Sequence, residues 1–440
     1  MTILAKAGLA LQRVFGSCAQ EAADATGVIR RQRKFTALSL ARTFVLGFLH
    51  QPDASDEDLA RLAVQSGADV SPQAVAQRHT PRLVAFLRDL LARATQLVVG
   101  SRAALAPLLE RFSKVILLDS STVTLPAGQQ HEFPGCGGGG GGGAAALKLQ
   151  TELDLRSGAI THLGIEPGRS PDGATARQQA RYGAGALRIT DLGYFCLAVF
   201  AAAAAAGEYF LSRWQFGTLV FTPDGTRLDL LAWLGRQAGL FIDQPVLLGQ
   251  AERLACRLVA WRLPQAQADR RRQKLRRDYR DKYGHEPSAA RLAWCDWTVL
   301  VTNVPLEKLT AAEAAVLYRA RWQVELLFKR WKSQGLVAVL GGSTEVRQLV
   351  RVWARLLAVL VQHWLVVASV WGDPRQSLSK ACAAVRQFVG RLAAALDSLA
   401  DLERVLADLG RVLAKTCRRN QRRKAGTFEL LNDVSLLDFH

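Results

Sequence analysis

The feature that most constrains this chain is a set of short strand-like runs in its middle, two of which lead into an aspartate. The apolar run Val115 to Leu118 leads into Asp119, and "ALRITDLGYF" reads as another strand that delivers Asp191 at its end. Runs of this length, bounded by turn formers, read as buried strands, because a helix needs a longer periodic pattern. "AALKLQTELDLRSGAITHLGIEPG" supplies two further strands with a turn at Ser157-Gly158, and "EYFLSRWQ" one more after the poly-alanine of Ala201 to Ala206. "ARQQARYGAG" is a candidate short helix. Strands interleaved with helices make an α/β fold, and in such folds functional side chains converge at strand ends.

The flanks read differently. In the first hundred residues Ser55 is an N-cap ahead of an apolar face of Leu59, Leu62 and Ala63, Gly67 breaks the pattern, and Ser71 caps a second helix with Pro72 at its first position. This is a helix-turn-helix outline. If the second helix enters a major groove, Gln73, Gln77 and Arg78 reach bases or phosphates; an ordinary helical hairpin carries the same signals. Between 216 and 305, β-like runs ("FGTLVFTPDG", "RLACRLVAWRL", "WTVLVTNVP") surround the basic "DRRRQKLRRDYRDKYGHEP", which reads as an insertion, part strand and part helix. A helix is expected from Thr310 to Ser333, with helices only thereafter. The run Gly137 to Gly143 reads as a flexible turn, since no phosphate-cradling context surrounds it. The expected divisions are a helical DNA-binding region at 1–105, a core at 106–215, the insertion at 216–305, the rest of the core at 306–375 and a helical region at 376–440.

Lys and Arg number 57 against 38 Asp and Glu, a formal charge of +19, which favours a polyanionic partner: nucleic acid or an anionic membrane. The longest apolar stretch, Val352 to Trp371, contains Arg355, Gln362 and His363, which are costly in hydrocarbon, so it reads as a core helix. No membrane partner is expected, and with no signal-peptide pattern at the N-terminus the expected location is cytoplasmic. The seven cysteines are scattered and form no Cys-x-x-Cys, so neither disulfides nor structural zinc are indicated.

"YRARWQVELLFKRWK" at Tyr318 to Lys332 repeats polar groups at steps of three, four and seven. On one helix, Tyr318, Arg321, Glu325 and Lys332 would share a stripe about 60° wide. Three carboxylates brought together repel unless neutralised, and hard oxygen ligands suit Mg2+ or Mn2+. The segment Arg270 to Lys282 reads as a DNA contact rather than a merely solvated helix.

Together "LLDSSTVTLP", "ITDLGYF" and "YRARWQVELLFKRWK" resemble the three catalytic blocks of DDE transposases of bacterial insertion sequences, in particular the insertion-sequence-four family. The last block matches that family's signature of Tyr, two residues, Arg, three residues, Glu, six residues, Lys. The resemblance spans roughly residues 110 to 335, and the glycine run departs from the family pattern. It implies a ribonuclease-H-like core with a mostly β insertion, flanked by N-terminal and C-terminal helical regions. It implies that Asp119, Asp191 and Glu325 hold two Mg2+ ions, with Mn2+ able to substitute, and that Tyr318, Arg321 and Lys332 hold phosphates of the element's ends. Trp297 matches a tryptophan that stacks on a base turned out of the duplex, or is a core residue. Arg213 matches a basic residue that approaches DNA, or is a surface residue. The implied activity is a cut-and-paste transposase that binds terminal inverted repeats in double-stranded DNA, cleaves there and joins the 3′ ends to target DNA. It would act as a homodimer on nucleoid DNA. The alternative is a catalytically inactive DNA-binding protein, repressor-like or degenerate.

Overall fold

The computed structural model describes all residues except 1–2, 32–33, 102–103, 138–142, 336–343, 372, 374, 421–424 and 438–440. Most of the glycine run therefore lies outside the described residues. The strands in chain order are β1 (Val115–Leu125), β2 (Ala145–Asp154), β3 (Ile160–Pro167), β4 (Leu187–Thr190), β5 (Tyr209–Arg213), β6 (Val220–Phe221), β7 (Arg227–Leu228), β8 (Ile242–Leu248), β9 (Leu254–Arg262) and β10 (Trp297–Thr302). The chain forms two compact units that interleave in sequence. One holds Met1–Leu105, Asp119–Ser170 and Gln323–Gln421; the other holds Ala106–Leu118, Pro171–Trp322 and Arg422–His440.

In the second unit the start of β1 pairs in parallel with β4, and β4 in parallel with β5. Parallel neighbours need a crossover, which the Leu197–Ala205 helix provides between β4 and β5. The sheet then continues antiparallel through β10, β9, β8, β6 and β7. Segment 216–305 thus extends the same sheet, with β10 lying against β5. Its core is apolar: Phe200 stacks on Phe210 with ring centroids 4.5 Å apart and planes 7° from parallel, and Leu234, Leu248, Leu258 and Val301 close around them. β4 is buried at all four positions although its sequence alternates, Leu187 and Ile189 with Arg188 and Thr190, and the buried Arg188 donates to the carbonyls of Gln178 and Arg177. The expected helix in "ARQQARYGAG" is a single 3-10 turn, Ala176–Gln179, because the glycines and tyrosine after it supply no helical face.

In the first unit β3, β2 and the rest of β1 lie side by side. The β2–β3 turn requires glycine at 158: φ is +74°, and a Cβ there would sit 2.4 Å from the Trp371 ring. Ser55 and Thr36 begin their helices with capping boxes, to Asp58 and Ser39 respectively, and Ser71 caps Ala74. The helix Ser71 caps is short, only Pro72–Ala76.

The Glu345–Val370 helix contains the stretch read as core. It is long and apolar enough to cross a membrane, but 94% of its most apolar window is buried inside the protein. The three polar groups that marked it as a core helix have internal partners. Arg355 donates to the Pro52 carbonyl and pairs with Asp53 at 2.8 Å, and Gln362 donates to the Cys382 carbonyl. His363 meets the Gly158 carbonyl at 2.8 Å, so its Nε2–H donates in the neutral form.

Burial pushes the His363 imidazole down to about 4 from an ordinary 6.5; the Gly158 hydrogen bond opposes this and Arg330 adds to it. The folded state therefore holds His363 neutral. Its stabilisation is complete above pH 6.5 and declines as pH falls towards 4, by about 3 kcal/mol in all. In His363→Gln the slope of unfolding free energy across this window should flatten in denaturant titrations, and a slope equal to wild type would contradict the assignment.

Candidate active site

β1 and β4 set two of the sequence-predicted carboxylates. Their parallel register ends with Leu118 opposite Thr190, and the residue that follows each is an aspartate. Asp191 closes β4 and caps the 3-10 turn Leu192–Tyr194, its Oδ1 accepting from the Leu192 amide at 2.7 Å. Asp119 differs from expectation. It does not close its strand, which runs on to Leu125; only the pairing with β4 stops before it. Its Oδ1 accepts from the Ser120 amide at 2.8 Å.

Tyr318 and Arg321 lie in the same unit as Asp191. The helix expected from Thr310 to Ser333 is two helices, Ala311–Ala320 and Trp322–Ser333, with Arg321 between them. The Arg321 amide bonds the Tyr318 carbonyl three residues back, at 3.1 Å, tightening the chain at that point. The first helix thus carries Tyr318, with Arg321 just past its end, and the second carries Glu325 and Lys332, in place of the single stripe of four. Arg321 stands 5.9 Å from the Tyr318 ring centre. Burial pushes the Tyr318 phenol up to about 12; the guanidiniums of Arg321 and Arg213 pull it down, and the Asp191 carboxylate raises it further. Those opposing influences place Asp191, Arg213, Tyr318 and Arg321 in one electrostatic neighbourhood.

Beside them is a cleft of about 300 Å³ lined by Arg213, Arg271, Gln267, Thr298, Tyr318 and Arg319, among others. Arg271 comes from the basic Gln265–Tyr283 helix and donates to the Trp297 carbonyl at 3.1 Å. Burial and the nearby Arg213 lower its guanidinium pKa. Sequence reasoning counted Arg271 only as part of a basic run. The four-residue step from Gln267 to Arg271 puts both on one helical face, but nothing local sets that face beside Tyr318. Trp297 begins β10 and is half-buried against the core of the insertion strands.

In the other unit, Glu325 lies half-buried in the first turn of the Trp322–Ser333 helix, and Lys332 is exposed in its last turn. Seven residues bring them to the same side of that helix. Among the described residues, no three His, Cys, Asp or Glu side chains are grouped closely enough to hold a metal ion. All seven cysteines are free thiols.

Residues 110–361, more than half of the chain, match the Transposase DDE domain family. The chain belongs to the DDE transposase family. Curated transposases resemble it over most of its length. The transposase for insertion sequence element IS231F of Bacillus thuringiensis subsp. israelensis is 28% identical over 339 residues, 71% of this chain and 70% of the relative. The IS231B transposase of B. thuringiensis subsp. berliner is 26% identical, over 94% of this chain and 92% of the relative. The transposase for IS1151 of Clostridium perfringens is 24% identical over 59% of this chain and 58% of its own length. All are transposases of the insertion-sequence-four type, and membership in the DDE family makes this chain a DNA-cleaving and DNA-transferring enzyme that uses divalent metal.

The buried phenol yields a prediction. With its pKa near 12, Tyr318 remains a hydrogen-bond donor throughout the working pH range. If Tyr318 holds a phosphate of the element's ends, as the resemblance implies, Tyr318→Phe should slow their cleavage by about tenfold, the loss of one hydrogen bond to a charged oxygen, without creating a new pH dependence between 7 and 10. Unchanged single-turnover rates would remove Tyr318 from the site.

Proposed function

We propose that this transposase recognises the terminal inverted repeats of its own element, cuts there, and joins the freed 3′ ends to target DNA on a ribonuclease-H-like core. The observation that carries this reading is the ordered set of Asp119, Asp191 and Glu325 with the full Tyr, Arg, Glu, Lys spacing, together with the β1–β4 register that ends one residue before each aspartate.

The donors fit a divalent ion in kind: three carboxylates supply hard oxygens suited to Mg2+, with Mn2+ as a substitute. In arrangement they are not grouped as a ready metal site among the described residues, so bringing the three together on DNA is part of the proposal. A pair of such ions would activate the attacking oxygen and stabilise the leaving one. The remaining work falls to the chain's own groups. Tyr318 donates to a phosphate oxygen from a site that burial keeps protonated, while Arg321, Arg213 and Lys332 offset the charge of the strand being cut. Trp297 would offer a ring to an extruded base. The basic helix at Arg270 to Lys282 would follow the backbone of the same duplex. A homodimer would hold two ends together in the bacterial cytoplasm.

The test is incubation of a labelled fragment spanning the element's boundary with protein and Mg2+. The proposal expects cuts at the boundary and transfer of the new 3′ ends into an added plasmid. A salt-sensitive mobility shift with no product in Mg2+ or Mn2+ would establish the repressor-like alternative; cutting without joining would mark a nuclease.

A further inference from the structure

The N-terminal helical region contains a cleft that the catalytic account does not use. It measures about 770 Å³ and is lined by Val28, Arg30, Arg31, Gln77, Arg78, Thr80, Pro81 and Arg82. Four of its described lining residues are arginines, and no carboxylate is among them. In a folded protein such a group of like charges is self-repelling, and it is relieved when an anion with several oxygens fills the space between.

Two of the arginines are held in place. Arg78 lies over the ring of buried Phe35, 5.2 Å from its centre, and Arg82 donates to the Gly27 carbonyl at 3.3 Å. Fixing these side chains in the free protein lowers the entropy lost on binding. Arg30 and Arg31 are exposed on the opposite loop. Two fixed and two adaptable forks suit adjacent phosphates along a strand better than one compact ion.

The neighbouring outline that resembled a helix-turn-helix is a poor base reader. Its second helix, Pro72–Ala76, is about 8 Å long, a turn and a half, with Val75 buried beneath it. We propose that this region grips DNA through its phosphates in the Arg30, Arg31, Arg78 and Arg82 cleft, positioning the duplex without reading its sequence. The inference rests on the reading of DNA as the substrate, and it adds a backbone clamp remote in sequence from the signature residues. Gln77 at the rim supplies a neutral hydrogen bond to sugar or phosphate oxygens.

The experiment measures binding of the full chain to a labelled 30-base-pair duplex by fluorescence anisotropy in EDTA, from 50 to 300 mM salt. Arg78→Ala/Arg82→Ala and Arg30→Ala/Arg31→Ala are each expected to weaken binding about tenfold or more at 100 mM salt, equally on end and unrelated sequences. Each should also reduce the slope of log affinity against log salt by about 2, one unit per lost contact. Arg78→Lys/Arg82→Lys keeps the charges and should retain most of the slope, which separates a charge role from loss of folding. Arg30 and Arg31 are exposed, so their replacement should leave the fold intact. Slopes equal to wild type in both alanine pairs overturn the clamp, as does tighter binding to duplex RNA than to DNA. If the unaltered protein binds no DNA at all, the substrate reading itself fails.

Discussion

Replacing Glu325 by glutamine should lower cleavage of the element's ends by about a thousandfold or more while leaving DNA binding intact. A lost metal-holding carboxylate removes several kcal/mol of transition-state stabilisation, and each 1.4 kcal/mol is tenfold in rate. Glutamine keeps the shape of a side chain that is half-buried in the first turn of its helix, so the fold should survive. On the proposed reading the change also removes a negative charge from a surface that would meet phosphates. In EDTA the variant should therefore bind DNA as well as the unaltered protein or slightly better. Asp191→Asn should behave alike, its oxygen still able to accept from the Leu192 amide. Single-turnover cleavage rates paired with anisotropy measure both effects. A Glu325→Gln protein that cuts at the normal rate would remove this residue from catalysis.

The largest expected effect on stability lies at Phe210. Its ring is fully buried on β5, stacked on Phe200, three residues before Arg213. Truncation to alanine gives up the buried area and leaves a cavity between strand and crossover helix, at a cost of about 3–5 kcal/mol. Phe210→Leu refills most of the volume and should cost about 1–2 kcal/mol. Denaturant unfolding reads both, and equal stability of the two variants would mean the core there is more adaptable than its packing indicates. Because β5 positions Arg213 beside the Tyr318 cleft, the alanine variant should also lose cleavage activity at temperatures where it remains folded.

Much of this fold was legible because its signals are local. The start of β1 reads as an apolar run because Val115 to Leu118 are buried on both faces, and Ser55 and Ser71 read as caps because their hydroxyls serve amides three residues away. Arg355, Gln362 and His363 marked their helix as one with internal partners for polar groups, and each partner exists. What failed to show was set by distant contacts. Nothing between Thr310 and Ser333 breaks a helix by propensity, yet the chain changes helices at Arg321, where one compact unit gives way to the other. The interleaving of the two units has no local signature either, since β1 itself passes from one to the other between Leu118 and Asp119. At the candidate site the carboxylates and the signature residues could be named from spacing. The cleft formed by Arg271, Gln267 and Arg319 with Tyr318 could not, because it depends on how the basic helix folds back towards β10.

Metal rescue tests the central claim most directly. Asp119→Cys, Asp191→Cys and Glu325→Cys proteins would each be assayed for cleavage of a labelled element end in Mg2+ and again in Mn2+, which tolerates sulfur ligands better. If the three side chains hold the catalytic ions, each variant should be nearly inactive in Mg2+ and recover at least tenfold in Mn2+, beyond any change in the unaltered protein. Cysteine variants that cut normally in Mg2+ would contradict the account, as would variants that bind DNA but gain nothing from Mn2+.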